Sequence, residues 1–348
     1  MTRIRDLAAY LESIAPPVYQ ESYDNAGLIV GDPNAEVTGV LVCLDSTEAI
    51  VEEAIGKGCN LIVAHHPIVF RGLKRFTGRN YVERVVIQAI RHGIAIYAIH
   101  TNLDNVYHQG VNGKIAQRLG LVETRILAPK ANLKKLSVMA PPARSESIRE
   151  ALFNAGAERI EASEQFSYYS PEGGGGNTQL RLEVLFSSGK ERQLLAALDA
   201  VGNGRPFAYE LAAVDNPDAA VGSGLIGRLP EPMPEPAFLE HLKTAMQASC
   251  IRHTRLLGRD VETVALCGGS GGFLLGAAKA AGAQFFVTAD YKYHEFFDAD
   301  GQLVIADIGH YESEQFTIEL LYDIISQKFS NFAAHCTEAI TNPIHYYC

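Results

Sequence analysis

The first third of the chain alternates two hydrophobic periodicities. TGVLVCLD (38–45), CNLIVA (59–64) and GIAIYAI (93–99) are short, nearly all-apolar runs, the pattern of strands buried on both faces. Between them STEAIVEEAIGKG and YVERVVIQAIRHG carry apolar residues at helical spacing, and a further helix is expected in GVNGKIAQRLG. Gly58 and Gly93 stand where the first two helices need caps. The chain opens on another amphipathic helix, MTRIRDLAAYLESIAPP, stopped by Pro16–Pro17. The last third repeats this style. ETVALCGG (262–269), AQFFVTA (283–289) and GQLVIADIG (301–309) read as strands, with a helix over GFLLGAAKAAG. One long amphipathic helix is expected over ESEQFTIELLYDIISQKF.

The middle has a different texture. KKLSVMA, a segment near 159–169, LRLEVLF and PFAYELAAV read as strands, and SESIREALFNAG and ERQLLAALDAVG as helices. The glycine run SPEGGGGN (170–177) suits a loop or hairpin. This β-α-β-β-α-β order is that of a ferredoxin-like unit. The expected fold class is α/β: one domain in two halves, 1–129 and 223–348, interrupted by an inserted ferredoxin-like domain at 130–222. Insertion at a surface loop is well tolerated, which makes this organisation reasonable.

Composition narrows the picture. A chain of 348 residues, 47% hydrophobic and 20% charged, can bury a sizeable core. No apolar run approaches the roughly 18–20 residues of a membrane span, and the first residues lack the pattern of an export signal, so a cytoplasmic protein is expected. Thirty basic against forty acidic side chains give −10, which counts against a general nucleic-acid surface and leaves room for a local basic patch. Cys43, Cys59, Cys250, Cys267, Cys336 and Cys348 show no C-x-x-C spacing and read as free thiols.

The candidate chemistry begins in LIVAHHPIVF (61–70), where His65 and His66 follow a buried strand. Two adjacent imidazoles there double a desolvation problem that partners must relieve. Parallel strands gather side chains at their carboxyl edge. The other strand ends bring His100 and Asp104 (HTNLDN) and His310, Glu312 and Glu314 (GHYESE). On a helix, residues four apart differ by about 40° around the axis and residues two apart by about 200°. His310 and Glu314 therefore converge while Glu312 faces away. Adjacent side chains on extended backbone diverge, so His65 and His66 suit two metals better than one.

Each residue alone has an ordinary explanation: an exposed strand-end histidine, an Asx turn at Asp104, or first-turn acids favoured by the helix dipole. Their coincidence at three strand ends points to a metal site with imidazole and carboxylate ligands. CGGSGG (267–272) lacks the lysine of a phosphate loop and reads as a tight turn whose amides could line the site. Asp24 and Asn25 either line the crevice or form a turn. His100 could orient Asp104 or its neighbours. His100 and His294 are the candidate acid–base groups, although a surface position is the ordinary reading for His294. No G-x-S-x-G elbow is present, so metal-activated water is the expected nucleophile.

Y-D-N-A-G-L-I-V-G, A-H-H-P, H-T-N-L-D, C-G-G-S-G, T-A-D-Y-K-Y-H and G-H-Y-E-S-E occur in order over nearly the whole chain. With them the sequence resembles the dinuclear metal-centre proteins called GTP cyclohydrolase 1 type 2 homologues, the Nif-three-like family. The resemblance implies one metal on His66 and Asp104, a second on His65 and His310, and Glu314 bridging. It also implies a homohexameric ring and, over 130–222, an insert similar to the signalling PII proteins. The expected function is that of a metal-dependent hydrolase with two divalent ions per chain, with zinc, iron, manganese and nickel all compatible. Its expected substrate is small and anionic, nucleotide-like or phosphorylated, with no membrane or nucleic-acid partner. The alternative is a non-enzymatic metal-binding or regulatory protein whose insert is a sensor or partner surface.

Overall fold

The computed structural model describes residues 1–157, 159–168 and 177–347. The glycine run at 170–176 and Cys348 lie outside the described residues. The early strands are β1 (Gly27–Val30), β2 (Gly39–Cys43), β3 (Leu61–Ala64), β4 (Ala95–Ala98) and β5 (Val122–Pro129). The middle supplies β6 (Leu133–Ala140), β7 (Arg159–Tyr168), β8 (Asn177–Ser187) and β9 (Ala208–Ala213). The remainder are β10 (Gly222–Pro234), β11 (Arg252–His253), β12 (Asp260–Ser270), β13 (Phe285–Ala289), β14 (Val304–Asp307) and β15 (Ala333–Cys336). The helices are α1 (Ile4–Ile14), α2 (Glu48–Gly56), α3 (Tyr81–Arg91), α4 (Thr101–Asp104), α5 (Val111–Arg118) and α6 (Ser145–Asn154). They continue with α7 (Glu191–Gly202), α8 (Glu235–Ala245), α9 (Leu275–Ala280), α10 (His310–Glu314) and α11 (Thr317–Lys328).

The chain divides into two compact units, one of Met1–Ala128 with Ala219–Cys348 and one of Pro129–Asp218. The first unit holds two sheets, β1-β4-β3-β2-β15 and β11-β14-β13-β12-β10-β5. β15, β2, β3 and β4 run parallel, as do β12, β13 and β14, so each sheet presents strand carboxyl ends along one edge. Alternation along β2 sends Val40 and Val42 into a core shared with Val264, Leu266, Phe285 and Val304 of the other sheet. Leu41 and Cys43 face the other way, onto a second core under α2 and α3. Both helices are capped as their sequences dictate. Thr47 and Asn80 accept from the amides of Ile50 and Glu83, and Gly58 (φ 69°) and Gly93 (φ 65°) close the far ends in the left-handed region.

The second unit is an antiparallel sheet of order β7-β8-β6-β9. It has its own core, in which Ile148 and Leu152 of α6 and Leu194 and Leu198 of α7 meet Leu136, Val138, Leu182 and Val184.

Two features differ from expectation. The long helix after His310 is two helices, α10 and α11. At the break the Gln315 side chain is tied to the Met246 carbonyl at 2.9 Å, which holds one short turn apart from the helix that follows. Five pairing strands were also hidden in the sequence. β10 ends in a run containing Pro230, Pro232 and Pro234 and shifts register between Arg228 and Met233, while β1 and β15 are four-residue edge strands. Among the described residues no helix is long and apolar enough to cross a membrane.

Candidate metal centre

The parallel pairing of β2 and β3 continues past both strands, with the His65 amide donating to Cys43 O (3.1 Å) and the His66 amide to Leu44 O (2.9 Å). The two rings stay close, with centroids 4.9 Å apart and planes tilted by 46°. His65 is fully buried, and its Nδ1 lies 2.8 Å from the Ile99 carbonyl. A carbonyl only accepts, so Nδ1 carries the proton and Nε2 is left as a lone pair. That lone pair lies 3.6 Å from Asp104 Oδ1 and 3.9 Å from Glu314 Oε1. His65 Nε2 and Asp104 Oδ1 are both buried with no hydrogen-bond partner. A bound cation or a shared proton would satisfy both of these facing acceptors.

His66 Nδ1 sits 2.7 Å from Asp45 Oδ1, and its Nε2 lies 3.0 Å from Glu314 Oε2. His310 repeats this arrangement: Nδ1 is 2.7 Å from Asp290 Oδ2 and Nε2 is 3.1 Å from Glu314 Oε2. Among the described residues three groups could hold an ion, each with its ligand atoms within 4.8 Å of one another: two triads that share Glu314, His65/Asp104/Glu314 and His66/His310/Glu314, and the cluster His65/His66/His100. Each oxygen of Glu314 faces one triad. The five residues are the ones that the resemblance divides as His66 with Asp104 and His65 with His310, around Glu314. The Ile99 carbonyl turns the His65 ring toward Asp104, and Asp45 turns the His66 ring toward His310.

The electrostatics suit cations. Burial pushes His65 down to about 4, leaving a neutral imidazole. Burial also opposes charge on His66 and His310, but the carboxylates of Asp45 or Asp290 and of Glu314 outweigh it and raise them to about 9 and about 11. Burial and the neighbouring Glu314 hold Asp104 well above the usual carboxylate range. For Glu314 the three histidines overcome burial and hold it well below that range. Protons on imidazoles thus stand where divalent ions would, and the mixed nitrogen–oxygen donor set fits first-row metals.

The surrounding frame explains several residues. A Cβ at Gly269 (φ 61°) would collide with Glu314 Oε1 and lie 3.3 Å from His310 Cε1. Asp307, buried at the end of β14, accepts from the amides of Tyr291 (2.9 Å) and Gly309 (3.1 Å), tying together the loops that carry Asp290 and His310. Asp290 itself has φ 61°, a conformation uncommon for any residue but glycine and frequent at functional sites. Glu312 turns away as helical geometry requires, its Oε1 accepting from Asn342 at 3.1 Å.

The remaining candidates separate. His100 lines the same cavity, but its Nδ1 partner is Asp24 Oδ1 at 2.8 Å and not Asp104. Asn25 donates to the Val69 carbonyl and forms part of a loop contact. His294 is exposed in a short 3-10 helix, Tyr293–Ala299, beside Tyr293 and Phe297, and does not line the cavity. Gly268, Gly269 and Ser270 do line it, yet the amides of Gly268, Gly269 and Gly271 already donate to Asn112, Ser313 and Thr288. Residues 267–270 are the end of β12 and not the tight turn expected from the sequence, and this stretch is a wall of the cavity and not a free anion cradle. Asp45 and Asp290 were missed in the sequence; their only signal is that each follows a strand, as the candidate ligands do.

A model of the Duf34/NIF3 (NGG1p interacting factor 3) family matches residues 2–343. The GTP cyclohydrolase 1 type 2 homolog of Bacillus subtilis is 34% identical over 321 residues, covering 86% of each chain. A Staphylococcus epidermidis protein of the same name is 30% identical and covers 99% of this chain and 100% of its own. A solved structure of a Bacillus cereus protein related to NIF3 superposes with a TM-score of 0.85 at 32% identity, covering 99% of both chains. The chain belongs to the Duf34/NIF3 family.

Proposed function

We propose that this protein is a hydrolase with two divalent ions per chain, held by His65, Asp104 and Glu314 and by His66, His310 and Glu314. The observation that carries this reading is the division of Glu314 between two clusters, Oε2 at 3.0 Å from His66 and Oε1 at 3.9 Å from His65. Divalent ions in such a pair supply charge stabilisation and activate water. Asp45 and Asp290 orient the imidazoles, and each ion receives three protein donors, which leaves positions for water and substrate. A cavity of about 590 Å³ opens onto the cluster, a volume suited to a nucleotide-like or phosphorylated molecule. His100 holds its Nδ1 on Asp24, leaving Nε2 to take or give a proton at the substrate.

We also read the second unit as a ferredoxin-like insert that interrupts the α/β domain, on the strength of its sheet order and separate core. A cytoplasmic homohexamer goes with this reading, and sedimentation velocity tests the assembly. The activity is tested by assaying metal-loaded protein against a panel of nucleotides and phosphate esters. Turnover is expected, together with its loss in Glu314→Ala and its reduction in His100→Ala with metal retained. A protein holding both ions yet inert to the whole panel would favour the regulatory reading.

A further inference from the structure

Past β15 the described residues form no helix or strand, yet their course is pinned at both ends and in the middle. The Thr337 amide donates to Val42 O at 2.9 Å. Glu53 of α2 accepts from the Thr337 hydroxyl and, at 2.9 Å, from the Glu338 amide. At the far end Tyr346 lies against Gly309, where a Cβ would stand 3.0 Å from the tyrosine oxygen. Between these ends two consecutive residues reach the two sheets that frame the metal cavity. Thr341 donates to Asp45 Oδ2 at 2.8 Å, and Asp45 follows β2. The Asn342 side-chain amide donates to Glu312 Oε1 at 3.1 Å, and Glu312 lies on α10, after β14 of the other sheet. Thr341, Asn342, Pro343 and Ile344 all line the cavity. Apolar burial is not what holds them there, since Ile340 is 80% and Ile344 51% exposed. A segment held by a few polar contacts opens far more readily than the core does.

The two clusters stand differently toward this segment. His65 is fully buried and does not line the cavity, whereas His66 and His310 both do, and the His310 side chain is 35% exposed. Asp45 holds the His66 ring, and Glu312 shares the five-residue helix α10 with His310 and Glu314. Both middle contacts therefore fall on groups that carry the His66/His310/Glu314 cluster, and neither falls on His65 or Asp104. We propose that residues 337–346 are a strap that opens to admit the ion at His66, His310 and Glu314 and closes to retain it, with Thr341 and Asn342 as its positioning residues. This rests on the two-ion reading. Linkage makes the relation reciprocal: a closed strap that favours the bound ion is itself favoured by that ion.

The test uses the full chain loaded with zinc and follows release of the metal to an excess of chromophoric chelator. Two phases are expected, one per ion. The variant Thr341→Val/Asn342→Ala should speed one phase about tenfold and leave the other unchanged. Thr341→Ser, which keeps the hydroxyl, should release zinc as the native chain does. Ile340→Ala, a change in the same segment but off the cavity, should alter neither phase. Hydrogen exchange at amides 337–346 should slow when zinc binds the native chain and respond little in the double variant. Both phases accelerated alike, or neither, would overturn the proposal, as would exchange at 337–346 that is the same with and without zinc. A chain that takes up a single ion would contradict the two-ion reading instead, and the strap would then stand or fall on whether exchange at 337–346 follows that ion. A chain that takes up none would sink both.

Discussion

The Nε2 atoms of His66 and His310 face each other across 3.4 Å. Each ring has its Nδ1 on a carboxylate, so in the neutral form both Nε2 atoms are lone pairs, and Glu314 Oε2 joins them. Three acceptors aimed at one point are stable only around a cation or a shared proton.

This convergence separates two glutamates on one short helix. Glu314→Ala should lose both ions, whereas Glu312→Ala, whose carboxylate is bound to Asn342, should retain both. Elemental analysis of the two purified variants is the check, and equal losses would contradict the assignment of Glu314 as the shared ligand.

The carboxylates behind the imidazoles should tune affinity without being ligands. Asp45→Asn and Asp290→Asn are each expected to weaken metal binding by about 10–100-fold while the fold is kept. Competition with a chromophoric chelator measures this. The Asp45 variant should also loosen the C-terminal segment, because Thr341 donates to Asp45 Oδ2 at 2.8 Å. Unchanged affinity in both would mean the histidines are oriented by packing alone.

Gly269 should tolerate no side chain. Alanine at φ 61° costs about 1–2 kcal/mol of backbone strain, and its methyl would push Glu314 out of place. Gly269→Ala should therefore lower both the melting temperature and the metal content. Gly276→Ala, with open space around its Cβ, should do neither.

Asp24 supplies a pH dependence. Its buried carboxylate resists ionisation, but His100, Thr101 and the Asn25 amide hold it down to about 2. A depressed acid contributes stability that is present above its unfolded value of 3.8 and is lost as pH falls toward 2. Asp24→Asn should thus be less stable than the native chain by about 2 kcal/mol at pH 7, and the difference should shrink between pH 4 and pH 3 in urea unfolding. A constant difference across that range would show that the hydrogen-bond geometry, and not the charge, matters.

The clustering of His65, His66, Asp104, His310 and Glu314 was legible in the sequence because strand ends in a parallel sheet gather at one edge, and all five follow such ends. How they divide was not legible. That depends on which acceptor each Nδ1 meets, and the Ile99 carbonyl lies 34 residues from His65 while Asp45 lies 21 from His66. The same holds for CGGSGG, whose amides looked available until Asn112, Ser313 and Thr288 arrived from distant segments. Edge strands such as β15, four residues long, carry too little periodicity to stand out. The break between α10 and α11 leaves the amphipathic pattern uninterrupted and so leaves no trace in it.

A carboxylate shared between two ions fixes the metal stoichiometry. The most direct measurement is the metal content of the full chain purified without added metal, and again after loading with excess zinc or manganese and desalting. Two ions per chain in the loaded protein, falling toward none in Glu314→Ala, is the result expected from the two triads. One ion or fewer in the fully loaded native chain would contradict it.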